Sequence, residues 1–80
     1  MSERLKYEGH LATLGKDKKA LEIEIEGLVK AMRDNLDLMK RPEKLSTELI
    51  ANQALQLRNK QIDLQAIISD IEKVHEILGR

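Results

Sequence analysis

Apolar residues recur every seven positions on both sides of the only proline in the chain, Pro42. The first half contains two series with this spacing, each of which is apolar except at one position. One series is Tyr7, Leu14, Leu21, Leu28 and Asn35, and the other is Leu11, Lys18, Ile25, Met32 and Met39. The second half contains the unbroken series Ile50, Leu57, Leu64, Ile71 and Leu78, and its complementary positions hold Ala54, Gln61, Ile68 and His75. These are the spacings of the a and d positions of a coiled coil, which lie along one face of a helix. The sequence therefore predicts two long helices, each with one apolar seam.

Pro42 also predicts where the two helices meet. Proline forces the residue before it into extended geometry and suits the first turn of a helix, where its missing N–H costs nothing. We predict a single domain with helix 1 over about 3–39, a turn over about 40–43 and helix 2 over about 43–78. Ser46 is a competing N-cap for a slightly later start. A short link between helices of equal length makes the expected fold all-α, an antiparallel, coiled-coil-like helical hairpin.

Two features of the first half weigh against one continuous helix. The segment 21–26 alternates apolar and acidic residues as a strand does, although its apolar residues also fit one helical face. Gly9, Gly15 and Gly27 each weaken a helix by about 1 kcal/mol relative to alanine. A bend or frayed turn before Gly15, with Asp17 restarting the helix, is therefore an alternative to an uninterrupted helix 1.

The chain carries more apolar surface than one seam between two helices buries. The predicted core seam consists of Leu11, Leu14, Leu21, Ile25, Leu28 and Met32 on helix 1 and Ile50, Leu57, Leu64, Ile68, Ile71 and Leu78 on helix 2. Further apolar residues widen both stripes, among them Val29, Leu36, Leu38, Ile62, Ile67, Val74 and Ile77. A lone hairpin buries too little surface to offset the entropy of ordering its chain. We therefore expect a homodimer that forms a four-helix bundle, and the alternative is a hairpin completed by a heterologous helical protein.

Three polar residues interrupt the predicted seam: Lys18, Asn35 and Gln61. A buried polar side chain that is satisfied in only one alignment penalises the others, so these residues are candidates for control of register. An antiparallel hairpin that turns near residue 41 puts Lys18 level with Gln65, and Asn35 level with Thr47 and Glu48. The alternative is that the three residues lie at the edge of the stripe and reach solvent.

Nothing in the chain has the spacing of a catalytic or cofactor-binding motif. The sequence has no cysteine, no glycine-rich phosphate loop and no paired metal-ligand motif, and its carboxylates are spaced like a solvated helix face. We therefore expect no enzyme activity, no cofactor and no metal site. One alternative stays open, since a hairpin brings His10 and His75 to its open end beside Glu8, Glu72 and Glu76, where zinc could bind.

The charge balance bears on partners and compartment. Fourteen basic residues offset fourteen acidic ones, and Tyr7 is the only aromatic residue, which disfavours nucleic acid as a partner. No apolar run has the length of a membrane span and the first ten residues lack a signal core, so we expect a cytoplasmic protein without a membrane partner. The predicted function is that of a protein-binding adaptor or accessory factor. The alternatives are an RNA- or DNA-binding four-helix regulator with the architecture of Rop-type plasmid copy-number proteins, and a structural or assembly subunit.

Two segments of the first half, 3–12 (ERLKYEGHLA) and 24–29 (EIEGLV), resemble small helical proteins encoded by Mu-like prophages. The resemblance covers chiefly helix 1 and contains no diagnostic motif. It implies a non-enzymatic accessory protein of phage or prophage origin.

Overall fold

The protein is an antiparallel helical hairpin in a computed structural model that describes residues 2–37 and 39–79. Helix α1 spans Ser2–Asn35 and helix α2 spans Thr47–Ile77, and the two pack side by side. No strand occurs among the described residues. The predicted all-α hairpin is therefore confirmed. The segment 21–26 is helical, and α1 runs without a break through Gly9 and Gly15.

Both helices stop short of the predicted turn. α1 ends at Asn35 rather than near residue 39, and α2 begins at Thr47 rather than near residue 43. Pro42 begins a separate 3-10 turn, Pro42–Lys44, and the residue before it, Arg41, is extended at φ −66° and ψ 140°. Ser46 occupies the N-cap position of α2, so the later of the two predicted starts is the observed one. The connection is therefore longer than predicted, because Pro42 orders the turn instead of opening the second helix.

Two residues assigned to helix 1 from the sequence fall beyond its observed end. Met39 follows α1, is 90% exposed and takes no part in the seam, contrary to the prediction. Leu38, which was predicted to widen the apolar stripe, lies outside the described residues.

The buried core lies at the open end of the hairpin, away from the turn. Among the described residues the buried hydrophobic side chains are Leu14, Val74 and Leu78. Four partly buried residues pack against them: Tyr7, Leu11, Ile67 and Ile71. Toward the turn the apolar side chains between the helices are only half-buried.

The molecule is long and thin. It measures 63 × 16 × 15 Å, and its radius of gyration is 18.1 Å. A compact domain of this length has a radius of gyration of about 12 Å. The shape follows from two helices of more than thirty residues that pack along their whole length without further elements to fold over them.

Candidate association surface

One side of α1 carries the residues that the heptad pattern predicts. The buried and half-buried positions with this spacing are Tyr7, Leu11, Leu14, Lys18, Leu21, Ile25, Leu28, Met32 and Asn35. They alternate in steps of four and three, which keeps them on one helical face. Lys18 and Asn35 thus lie on the side of α1 that faces α2.

On α2 one of the two series is displaced by one residue from the prediction. Ile50, Leu57, Leu64, Ile71 and Leu78 are at least half-buried, as the seam requires. The second inward series is Gln53, Lys60, Ile67 and Val74, whereas the heptad spacing predicts Ala54, Gln61, Ile68 and His75. Ala54 and Gln61 are exposed, whereas Ile68 and His75 are half-buried at the edge of the seam.

The displaced series has a physical cause in the contacts of α2 with α1. Near the open end the observed series turns Ile67 and Val74 inward, and Val74 is one of the buried core residues. The predicted series would turn His75 inward instead, so burial of apolar surface favours the observed orientation. Gln53 and Lys60 lie on the same inward side and bond to α1, in place of Ala54 and Gln61.

Polar contacts between the helices, within the described part of the chain, include the pairs Asn35–Gln53 and Lys60–Glu24. The Asn35 Nδ2 atom donates a hydrogen bond to Gln53 Oε1 over 3.0 Å in a partly buried setting. Asn35 thus lies opposite Gln53, farther along α2 than the predicted Thr47 and Glu48, because α2 starts later than predicted. The Lys60 Nζ atom lies 3.0 Å from Glu24 Oε2, with 32% and 54% of the two side chains exposed. Lys18 is half-buried and forms no hydrogen bond or ion pair with another described residue.

No chemical site emerges in the described part of the chain. Residues 2–37 and 39–79 contain no group of three His, Asp or Glu side chains placed to hold a metal ion. His10, which is exposed, and His75, which is half-buried, therefore form no group of three ligands with the described acidic residues, contrary to the zinc alternative. An open depression lies at the start of α2, lined by Leu45, Ser46, Thr47, Glu48, Leu49 and Asn52. Within the same residues, neither helix has the length and hydropathy needed to cross a membrane.

The exposed surfaces of the two helices differ in charge. α1 carries fourteen Asp, Glu, Lys and Arg residues within its 34 positions. Between residues 49 and 69, α2 has only three charged residues, which are Arg58, Lys60 and Asp63. Lys60 is already engaged with Glu24. The middle of α2 therefore presents a nearly uncharged surface to solvent.

Four exposed apolar residues line the side of α2 that faces away from α1. We call Ala51, Leu55, Ile62 and Ala66 the outer stripe; Leu55 is 62% exposed and Ile62 is 46% exposed. At 100° per residue the four positions fall within about 60° of arc, opposite the seam residues Leu57 and Leu64. Other exposed large hydrophobics are separate from this stripe, such as Ile23 among the charges of α1.

The hairpin leaves an unusual amount of surface in contact with solvent. Its accessible surface is 6413 Å² for a mass of 9.2 kDa. A folded monomer of that mass exposes about 4,900 Å². The excess is about 1,500 Å² per chain, more than the roughly 800 Å² that each partner buries in a standard protein interface.

The chain matches no protein-family model, no curated protein and no solved structure. The resemblance to Mu-like prophage proteins therefore stays a prediction.

Proposed function

We propose that this protein works by association, as a homodimeric helical hairpin that serves as an adaptor or accessory factor for another protein. The observation that carries the proposal is the excess surface of about 1,500 Å² per chain. A second copy supplies two further helices and covers apolar surface that a single hairpin leaves exposed.

The small core of the hairpin supports the same conclusion. Full burial of one large apolar side chain contributes about 1.5–3 kcal/mol, whereas ordering the backbone costs about 1–2 kcal/mol for every residue. The described residues contain three buried hydrophobic side chains, Leu14, Val74 and Leu78. Burial of further apolar surface against a partner therefore offsets part of the conformational entropy that the small core of the isolated hairpin does not offset.

The test is the molar mass in solution. Light scattering on a sizing column, over a hundredfold range of concentration, is combined with circular dichroism on the same fractions. We expect a helical species with twice the chain mass of 9.2 kDa. A helical, stable monomer at every concentration would contradict the proposal. A poorly helical monomer would reassign the apolar surface to a different helical protein.

The adaptor role requires a surface that stays free in the dimer. The exposed side of α1 carries the basic residues Lys16, Lys19, Lys30 and Arg33, interleaved with the acidic residues Glu22, Glu26 and Asp34. Such a mixed surface selects a partner by complementary pairs of charges rather than by net charge. Reversal of these charges should abolish co-purification of a partner while the dimer mass stays unchanged, and loss of both would point to misfolding instead.

A further inference from the structure

We infer that the second copy docks on the outer stripe of α2, with the two α2 helices side by side and antiparallel. This inference rests on the proposed homodimer and adds to it the interacting face and the direction of packing. The position of the stripe, its internal symmetry and the charges at its two ends support this arrangement.

The outer stripe is free of the contacts that build the hairpin. Ala51, Leu55, Ile62 and Ala66 are all exposed and lie on the opposite side of α2 from the seam. Arg58 is the charged residue closest to the middle of the stripe, and it borders the stripe rather than interrupting its arc. A narrow apolar face bordered by amide side chains is suited to packing against the same face of a second α2 helix.

The stripe has nearly the same sequence in both directions. Its spacings are four, seven and four residues, with alanine at both ends and a branched aliphatic residue at both inner positions. A two-fold axis that passes between residues 58 and 59 therefore sets Leu55 opposite Ile62 of the second copy and Ala51 opposite Ala66. Such a self-complementary patch is what an isologous dimer needs. The small alanine side chains let the two helices approach closely at both ends.

The charges beyond the stripe select the antiparallel direction. Glu48 lies near one end of α2 and Lys73 near the other, both exposed and within the same arc as the stripe. Neither side chain forms a hydrogen bond or ion pair with another described residue. Antiparallel packing brings Glu48 near Lys73 of the second copy twice, with an offset of about 6 Å along the axis that these long side chains span. Parallel packing would oppose like charges at both ends.

This arrangement differs in shape from a square four-helix bundle. In a square bundle each helix contacts two neighbours that lie roughly at right angles to each other. The outer stripe lies opposite the seam, so α2 would contact α1 on one side and the second α2 on the other. The dimer is then a layer in the order α1, α2, α2, α1, with the charged surface of α1 on both outer edges.

Cysteine cross-linking tests both the face and the direction, because the chain has no cysteine of its own. We would prepare Ala51→Cys and Ala66→Cys separately and oxidise each alone and as a refolded equimolar mixture. We expect a disulfide-linked dimer from the mixture and none from either variant alone. The matched control is Ala20→Cys, an exposed alanine of α1, which should not cross-link alone or with Ala66→Cys.

The other outcomes are distinguishable. Cross-linking of each variant with itself would overturn the antiparallel direction. A species of dimer mass without any cross-link would overturn the choice of face and leave the proposed homodimer standing. A monomer by light scattering would overturn both.

A second pair of variants guards against a failure to fold. Leu55→Lys with Ile62→Lys places two charges in the stripe without touching the seam, and should raise the dissociation constant about tenfold or more while helicity is kept at concentrations at which the dimer still forms. Ile23→Lys, an equally exposed change on α1, should leave the dissociation constant unchanged. Equal effects of the two changes would contradict the inference.

Discussion

At the residue scale, the contact between Asn35 and Gln53 is the most informative. It joins two amide side chains across the helices near the turn, where few apolar side chains are buried. A polar residue in an otherwise apolar seam favours the alignment in which its partner is present. Lys60 and Glu24 form a second link, but both side chains are partly in water. Exposed ion pairs of that kind contribute at most about 1 kcal/mol.

We predict that Asn35→Ala lowers the free energy of unfolding by about 1 kcal/mol, because it leaves the Gln53 amide without its partner. Gln53→Ala should cost a similar amount, and the double variant less than the two single losses together. Urea denaturation of the four proteins measures this coupling. The control is Glu24→Gln, which should change stability less. Additive losses at Asn35 and Gln53 would show that the bond does not set the register.

At the scale of the helices, the heptad pattern was enough to predict two helices and the inward face of α1. A pattern sustained over thirty residues leaves little choice of fold. The end of α1 was not predicted, because residues 36–40 are compatible with a helix by composition. The Asp37 Oδ1 atom accepts a hydrogen bond of 2.9 Å from the backbone N–H of Met39, a side-chain turn that competes with the helix. Asp37 was therefore a local signal that periodicity could not detect.

Two glycines of the helices should respond in opposite directions to alanine. Gly27 lies inside α1 with open space where a Cβ atom would project, so Gly27→Ala should stabilise the protein by up to about 1 kcal/mol.

Gly79 follows α2 at φ +74°, which is a left-handed conformation. Its backbone N–H donates a 3.1 Å hydrogen bond to the Glu76 carbonyl and so closes the end of the helix. Gly79→Ala should destabilise by about 1 kcal/mol. Thermal melts measure both; a stabilising Gly79→Ala would rule out this helix end.

At the scale of the whole molecule, the candidate site is a surface and not a pocket. The sequence showed that apolar residues were in excess, yet their distribution depends on which side of α2 faces α1. A shift of one residue in the second series turned Lys60 inward and Gln61 outward. The outer stripe and the seam both consist of apolar residues of α2. They can therefore be told apart only in the packed hairpin, which shows which side of α2 contacts α1.

The end charges of α2 provide a test of the whole assembly. Glu48→Lys and Lys73→Glu should each weaken the antiparallel dimer, since each creates like-charged pairs at both ends of the stripe. The double variant restores opposite charges and should recover the original dissociation constant. Analytical ultracentrifugation at low salt measures the three variants, and high salt should reduce all the differences. Failure of the double variant to recover would argue against this pairing.

The placement of the core at the open end also affects how the chain folds. The bond between Asn35 and Gln53 closes a loop of 18 residues, whereas the cluster of Leu14, Val74 and Leu78 closes one of about sixty. Closing the longer loop first costs about 1 kcal/mol more in chain entropy. The easiest contacts to form are thus the weakest ones, and the strongest are the last to become accessible. We therefore expect the helices to pair from the turn outward with little gain in stability at first, and the folding rate to depend on how many residues must pair before the core cluster forms.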